Sequence, residues 1–291
     1  MKRQNDRFHS CSTLKNELSG LILFGLAVAC AWGVRADTHT WTPTSGTNWN
    51  VAENWNPKSV PANGDSVTIN TDNQQVHSLN NDCEGLTLNT LFFSNGGDNN
   101  KEGTVTLTGN ALTISGTGNT GSGAFYVQYP RAHIQTPIVF TAAAPFLMNW
   151  SRGRIFLEAA VTAEHQLIGY GKANTARLTD LGSAQTIFCD TFYAKEGLVL
   201  RAGNFVCGKA NAFDPRQVVT FAAQSGDNAF LTFNLEGFDQ TIDRLTSADG
   251  NVLSANQSLV RNTTPTACTL TMKASADGGT DALFSGPLSL V

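Results

Sequence analysis

From residue 66 onward, apolar and polar residues exchange places at every second position in short runs. Examples are "SVTIN" (66–70), "GTVTLTG" (103–109), "ALTISG" (111–116), "PIVFTA" (137–142), "RIFLEAAV" (154–161), "GLVLRAG" (197–203) and "CTLTMKA" (268–274). Each run has strand length, strand parity and a Gly, Asn, Asp or Pro break behind it. No stretch sustains the i, i+3, i+4, i+7 pattern of a helix. "EAAVTAEHQL" (158–167) comes nearest, and its neighbours argue for strand.

Many short strands at regular spacing suit a sandwich, a barrel or a β-solenoid. Three features favour the solenoid. The breaks are small and polar, as tight corners require. Thr and Asn recur, and stacked turns let such side chains form ladders. The strand-and-break unit repeats at roughly 20 residues, the lower end of the solenoid range. The expected fold is therefore all-β, a parallel β-solenoid spanning 66–291, with a β-sandwich as the alternative.

Ahead of the alternation lies "GTNWNVAENWNPKSVPANGDSVTIN" (46–70), which with Trp41 holds three tryptophans. A solenoid exposes strand edges at its first turn, and an open edge invites aggregation. Residues 37–65 are expected to form a Trp-rich cap that buries large rings against that turn. The competing reading gives Trp49 and Trp55 to sugar stacking. Their even spacing would put both rings on one face of a continuous strand. Pro43 and Gly46 make it doubtful that Trp41 joins them.

Composition agrees with a β-rich chain and adds a compartment. Charged residues make up only 14% of the 291 residues. Residues 1–36 read as a secretory signal peptide: Lys2, Arg3, Arg7 and Lys15, an apolar stretch 18–34, then "VRA" before Asp37. An uncleaved anchor or a lipoprotein signal with Cys30 as acceptor is the alternative. Export to the extracellular space or outer surface is expected. Without residues 1–36, 14 Lys and Arg face 21 Asp and Glu, a net charge of −7. That balance repels phosphate backbones, so no nucleic-acid partner is expected. No later segment is apolar for long enough to span a bilayer as a helix.

Candidate chemistry is sparse. Cys83, Cys189, Cys207 and Cys268 form no C-x-x-C, and four thiols in an exported chain allow three pairings. Cys189 and Cys207, 18 apart, could lie at similar height on adjacent turns and are the best disulfide candidate. Buried free thiols are the other reading. His39, His77, His133 and His165 lack metal-ligand spacing. Glu164 and His165 would face opposite sides of a strand. Asp180, Asp190, Asp239, Asp243 and Asp249 are the carboxylates a glycan-cleaving solenoid could use. Asp239 and Asp243 lie about 13 Å apart on an extended chain, too far for a glycosidase pair. Lys195, Arg201 and Arg216 could supply a lyase base but read as surface charge. "GGDNN" (96–100) and "ADGGTD" (276–281) are oxygen-rich, but plain turns explain them as well as calcium does. No catalytic residue, cofactor or metal ligand is assigned.

The ends of the chain carry a resemblance. W-x7-W-N-x3-N-W-x5-P-x2-G-D-x-V-x-I, from Trp41 to Ile69, resembles the N-terminal motif of bacterial autotransporter-associated β-strand repeat proteins. "GLVLRAGNFVCGKANAFDP" (197–215), "AFLTFNLEGFDQTIDRLTSADG" (229–250) and "ALFSGPLSLV" (282–291) resemble that family's later strand-and-turn units. The resemblance implies a non-enzymatic, adhesion-type passenger at the cell surface, contacting surface or matrix glycans or proteins. It also implies a solenoid truncated at Val291, since the family's repeat would continue there. A carbohydrate-active enzyme, lyase or hydrolase, or a carbohydrate-binding module is the alternative function.

Overall fold

A computed structural model describes residues 36–71, 76–94, 103–150, 152–172, 184–223, 231–248 and 258–273. The expected leader (1–36, with Cys30) lies outside them apart from Ala36, as do Asp180, Asp249 and the two oxygen-rich loops. No helix among the described residues is long and apolar enough to cross a membrane.

The alternating runs form strands, and the strands coil into a parallel β-solenoid of about 7 turns. Three walls result. The first stacks Thr38–Trp41, Ser66–Asn70, Thr90–Ser94, Phe125–Gln128, Phe146–Trp150 and Leu167–Lys172 in parallel. It continues through Leu198–Leu200, Val218–Phe221 and Arg244–Ser247. The second wall runs from Val76–Asn81 through Thr104–Gly109, Arg131–Ile134, Arg154–Leu157, Gln185–Phe188 and the end of Leu198–Cys207 to Leu231–Asn234 and Ser258–Arg261. The third is shorter and includes Leu112–Ile114, Ile138–Phe140, Val161–Ala163 and Phe192–Ala194. Among the described strands only two short pairings are antiparallel, Thr38–Trp41 with Trp55–Asn56 and a two-residue hairpin at 118–123. This excludes the β-sandwich alternative, which requires antiparallel neighbours.

Alternation points every second residue inward, and parallel register then stacks like upon like. Trp41, Ile69, Phe93 and Val127 form one inward row, and Val67, Leu91, Phe125 and Leu147 the next. All of them are buried. A few polar side chains enter this interior, such as His39 against Asp65 and Asn149 against Thr186, and at corners they close backbone groups that the strands leave open. The fully buried Gln217 accepts from Ala194 N at 2.8 Å and donates to Val218 O at 2.7 Å. Gln240, one turn on, accepts from Ala212 N at 3.0 Å and donates to Lys209 O at 2.7 Å. Unpaired, these buried groups would each cost about 1–3 kcal/mol.

Strand Leu198–Cys207 turns the corner between two walls without a break. A bulge makes this possible: Gly169 faces Leu200, but Tyr170 faces Ala202, so Arg201 is the extra residue. Gly203 then takes φ +110, with a Cβ position only 2.7 Å from Gly171 Cα of the neighbouring turn. Only glycine at both positions lets the backbones approach so closely.

The Trp-rich segment does two jobs at the first turn. Thr38–Trp41 is itself the leading strand of the first wall, so that wall begins well before residue 66. Asn48 bridges Asn80 in parallel, extending the second wall. Between Trp49 and Trp55 the chain makes a 3-10 turn, Ala52–Asn54, so the two rings do not share a strand. They meet nonetheless: Trp55 packs edge-on against Trp41 at 4.9 Å and Trp49 at 5.5 Å, and its Nε1 donates to Trp49 O at 2.7 Å.

A second apolar cluster lies outside the first wall. Phe92, Tyr126, Met148, Tyr170 and Ala202 are in register, and Phe92 stacks on Tyr126 with ring centres 4.7 Å apart. The 118–123 hairpin packs against this row, with the Cβ position of Gly123 at 2.7 Å from Met148 Cβ.

Candidate functional site

The outer face of the second wall carries two rows of side chains. One reads Arg131, Arg154, Gln185, Asn204, Thr232; the next reads His133, Phe156, Ile187, Val206, Asn234, Arg261. Toward the later turns this face is no longer flat. The turns after Asn234 and Arg261 rise beside it, bringing Glu236, Phe238 and Thr263 to its border. The result is a groove of about 370 Å³ with Ile187 and Val206 on its floor and Asn204, Asn234 and Glu236 among its polar groups.

The groove's polar atoms are fixed by their neighbours. Asn234 Nδ2 donates to Glu236 Oε2 and to Thr263 Oγ1, and Thr263 Oγ1 donates to the same carboxylate oxygen. Glu236 N donates to Asn234 Oδ1 at 3.2 Å, which holds Glu236 in the left-handed region at φ +48. Asn204 Oδ1 accepts from Thr232 Oγ1 at 2.6 Å. Arg261 keeps Nε and Nη2 shielded from solvent without a hydrogen-bond partner. Burial pulls its guanidinium below its ordinary pKa, against the opposing pull of Glu236.

Earlier on the same wall, the His133 ring stacks flat on Phe156 at 4.3 Å and its Nδ1 lies 2.7 Å from Glu158 Oε1. Gln135 Nε2 donates to the other oxygen at 2.9 Å. Burial alone would raise Glu158, but the hydrogen bonds from His133 and Gln135 outweigh it and hold the carboxyl below its usual range. Asp190 is also lowered, first by its hydrogen bond from Lys209 Nζ at 2.7 Å, then by Thr191 N. A general acid needs the opposite shift, toward neutrality at working pH.

The other sequence candidates are dispersed. His39 is buried with Nε2 3.0 Å from Asp65 Oδ2, and His165 Nδ1 lies 3.2 Å from Glu196. His77 sits on the outer strand Val76–Asn81, in register with Val105. Asp239 accepts from Thr269 N at 2.7 Å, and the Asp243 carboxylate lies 3.9 Å from Arg244 Nε. Asp239 and Asp243 flank the strand Gln240–Ile242 and serve different neighbours. Arg201 lies over the Tyr170 ring at 5.5 Å. Arg216 forks onto Asp214 and covers Tyr193 at 4.5 Å. Lys195 donates its backbone N–H to Ala163 O at 2.9 Å, continuing the third-wall ladder. Among the described residues no three His, Cys, Asp or Glu side chains are placed to share a metal ion.

Two candidate readings, the sugar-stacking tryptophans and the disulfide, are corrected. Trp49 and Trp55 are 0% and 1% exposed, so neither ring offers a face to a sugar. Cys189 and Cys207 are free thiols, as are Cys83 and Cys268. The register explains why the first two do not meet: Cys207 faces Phe188 inside the core, and Cys189 sits over Gly208, one residue on, with opposite parity. Burial pushes the thiols of Cys83, Cys189 and Cys207 up, so none is poised as a thiolate nucleophile.

Sequence reasoning passed over Glu158, Glu236, Asn204 and Asn234. The outward parity of Asn204 and Asn234 was readable from "AGNFVC" and "LTFNLEG". Their meeting depended on a register the sequence does not print.

No protein-family model, curated protein or solved structure matches this chain.

Proposed function

We propose that this chain is an exported structural solenoid of the autotransporter-associated β-strand repeat type, displayed at the cell surface and working by contact rather than catalysis. The observation that carries the reading is the continuous parallel pairing of the described strands in the first two walls, which shifts register at the Arg201 bulge. It fixes outer side chains at one-strand intervals, about 4.8 Å, along a stiff column. Such a column is suited to presenting a surface.

Charge placement supports the same reading. Asp190, Asp214 and Glu158 are each held by neighbours and lowered, which suits solvated structural pairs. The likeness of residues 41–70 and 197–291 to the repeat family supports export and display.

Expression of the whole chain in a Gram-negative host tests this directly. The product should begin at Asp37 by N-terminal sequencing, and protease added to intact cells should digest it. A product that retains Met1 and stays protected until lysis would overturn the proposal.

A further inference from the structure

We propose that the groove on the second wall, framed by Asn204, Asn234, Glu236 and Phe238, binds a short uncharged oligosaccharide. The site does not rest on export or display, because it can be measured on the purified chain.

Size comes first. A volume of about 370 Å³ falls within the roughly 300–1,000 Å³ of small-ligand clefts. The chemistry of the lining then narrows the ligand. Glu236 uses Oε2 for both Asn234 and Thr263, and among the described residues Oε1 accepts no hydrogen bond. Asn204 uses Oδ1 for Thr232, and among the described residues its Nδ2 has no acceptor. The groove therefore offers a fixed acceptor and a fixed donor above the apolar side chains Ile187 and Val206, with Phe238 at the border.

A sugar ring matches this combination. Its hydroxyls both donate and accept, and its C–H face covers apolar side chains. An anionic ligand would meet the Glu236 carboxylate. A peptide binding by strand addition needs an open sheet edge, whereas Leu198–Cys207 and Leu231–Asn234 are each paired on both sides. The left-handed backbone at Glu236 fits a binding role too. Such a conformation persists where surrounding contacts enforce it, often at ligand sites.

The test is titration calorimetry of the full chain with cellotriose, maltotriose, xylotriose, mannotriose and chitotriose. At least one should bind with a Kd below about 1 mM. Glu236→Gln should weaken it about tenfold, the loss of one charge-assisted hydrogen bond. Val206→Trp, which fills the floor at a position only 8% exposed, should abolish binding while keeping the parent's far-ultraviolet dichroism. Absence of heat with all five sugars would overturn the proposal. So would a binder unaffected by Val206→Trp, or binding of oligogalacturonate alone. If Glu236→Gln does not fold, Val206→Trp decides.

Discussion

Asp65 ties the leading strand to the turn before Ser66 at the start of the column. Its carboxylate accepts from Asp37 N and Ala62 N, both at 2.8 Å, and from His39 Nε2 at 3.0 Å. Burial would raise it, yet these donors prevail and hold it below its ordinary value. A depressed folded pKa gives stability that is complete above about pH 4 and drains away as pH falls through the lower value. Asp65→Asn should therefore melt below the parent at pH 7, with the gap closing in acid; thermal melts from pH 7 to 2 check it. Little of this bonding was legible beforehand. "GD" before "SVTIN" reads as a turn, and nothing in the string says the turn carboxylate reaches back 28 residues to Asp37. The sugar-stacking reading of Trp49 and Trp55 failed for a related reason. Even spacing implies a shared face only on a continuous strand, and the turn at Ala52–Asn54 breaks it.

At the scale of the element, alternation was enough to identify the strands, because inward and outward positions differ so sharply in polarity. The corners were less legible. The run "GLVLRAG" (197–203) reads as a strand ending at its Gly, yet Leu198–Cys207 runs through the corner as one. Its bulge at Arg201 and the close pair Gly171–Gly203 replace a loop. Gly203→Ala should cost roughly 1–3 kcal/mol from its backbone conformation alone, and the contact with Gly171 adds to it. Gly197→Ala is the comparison: it shares a positive φ, but its Cβ position lies 3.6 Å from the nearest atom. Urea denaturation should rank Gly203→Ala clearly below Gly197→Ala. Equal losses would mean that the close approach contributes nothing.

For the whole molecule, solenoid architecture followed from the strands, but a strict period did not. Phe125 stacks on Leu147, 22 residues on, whereas Leu91 stacks on Phe125, 34 residues on. The described strands keep their partners across these unequal spacings, because added length between strands does not change which strands meet. Each turn touches only its neighbours, so stability is expected to be a sum of local terms and adjacent interfaces. Damage at one end should spread inward from there. Trp55→Ala removes a fully buried ring from the first turn, a loss of about 3–5 kcal/mol. Hydrogen exchange should then speed up in 66–94 well before it does in the strands after residue 198.

The placement of the tryptophans has an optical consequence. Trp41, Trp49 and Trp55 share one cluster at the first turn, and Trp150 stands apart beside Tyr126. Intrinsic emission after residue 36 is thus weighted toward one end of the column, while far-ultraviolet dichroism averages over every wall. The two signals form a ruler. Where their denaturation curves coincide the column melts as a unit, and where they part, the separation reads how far the frayed end has advanced.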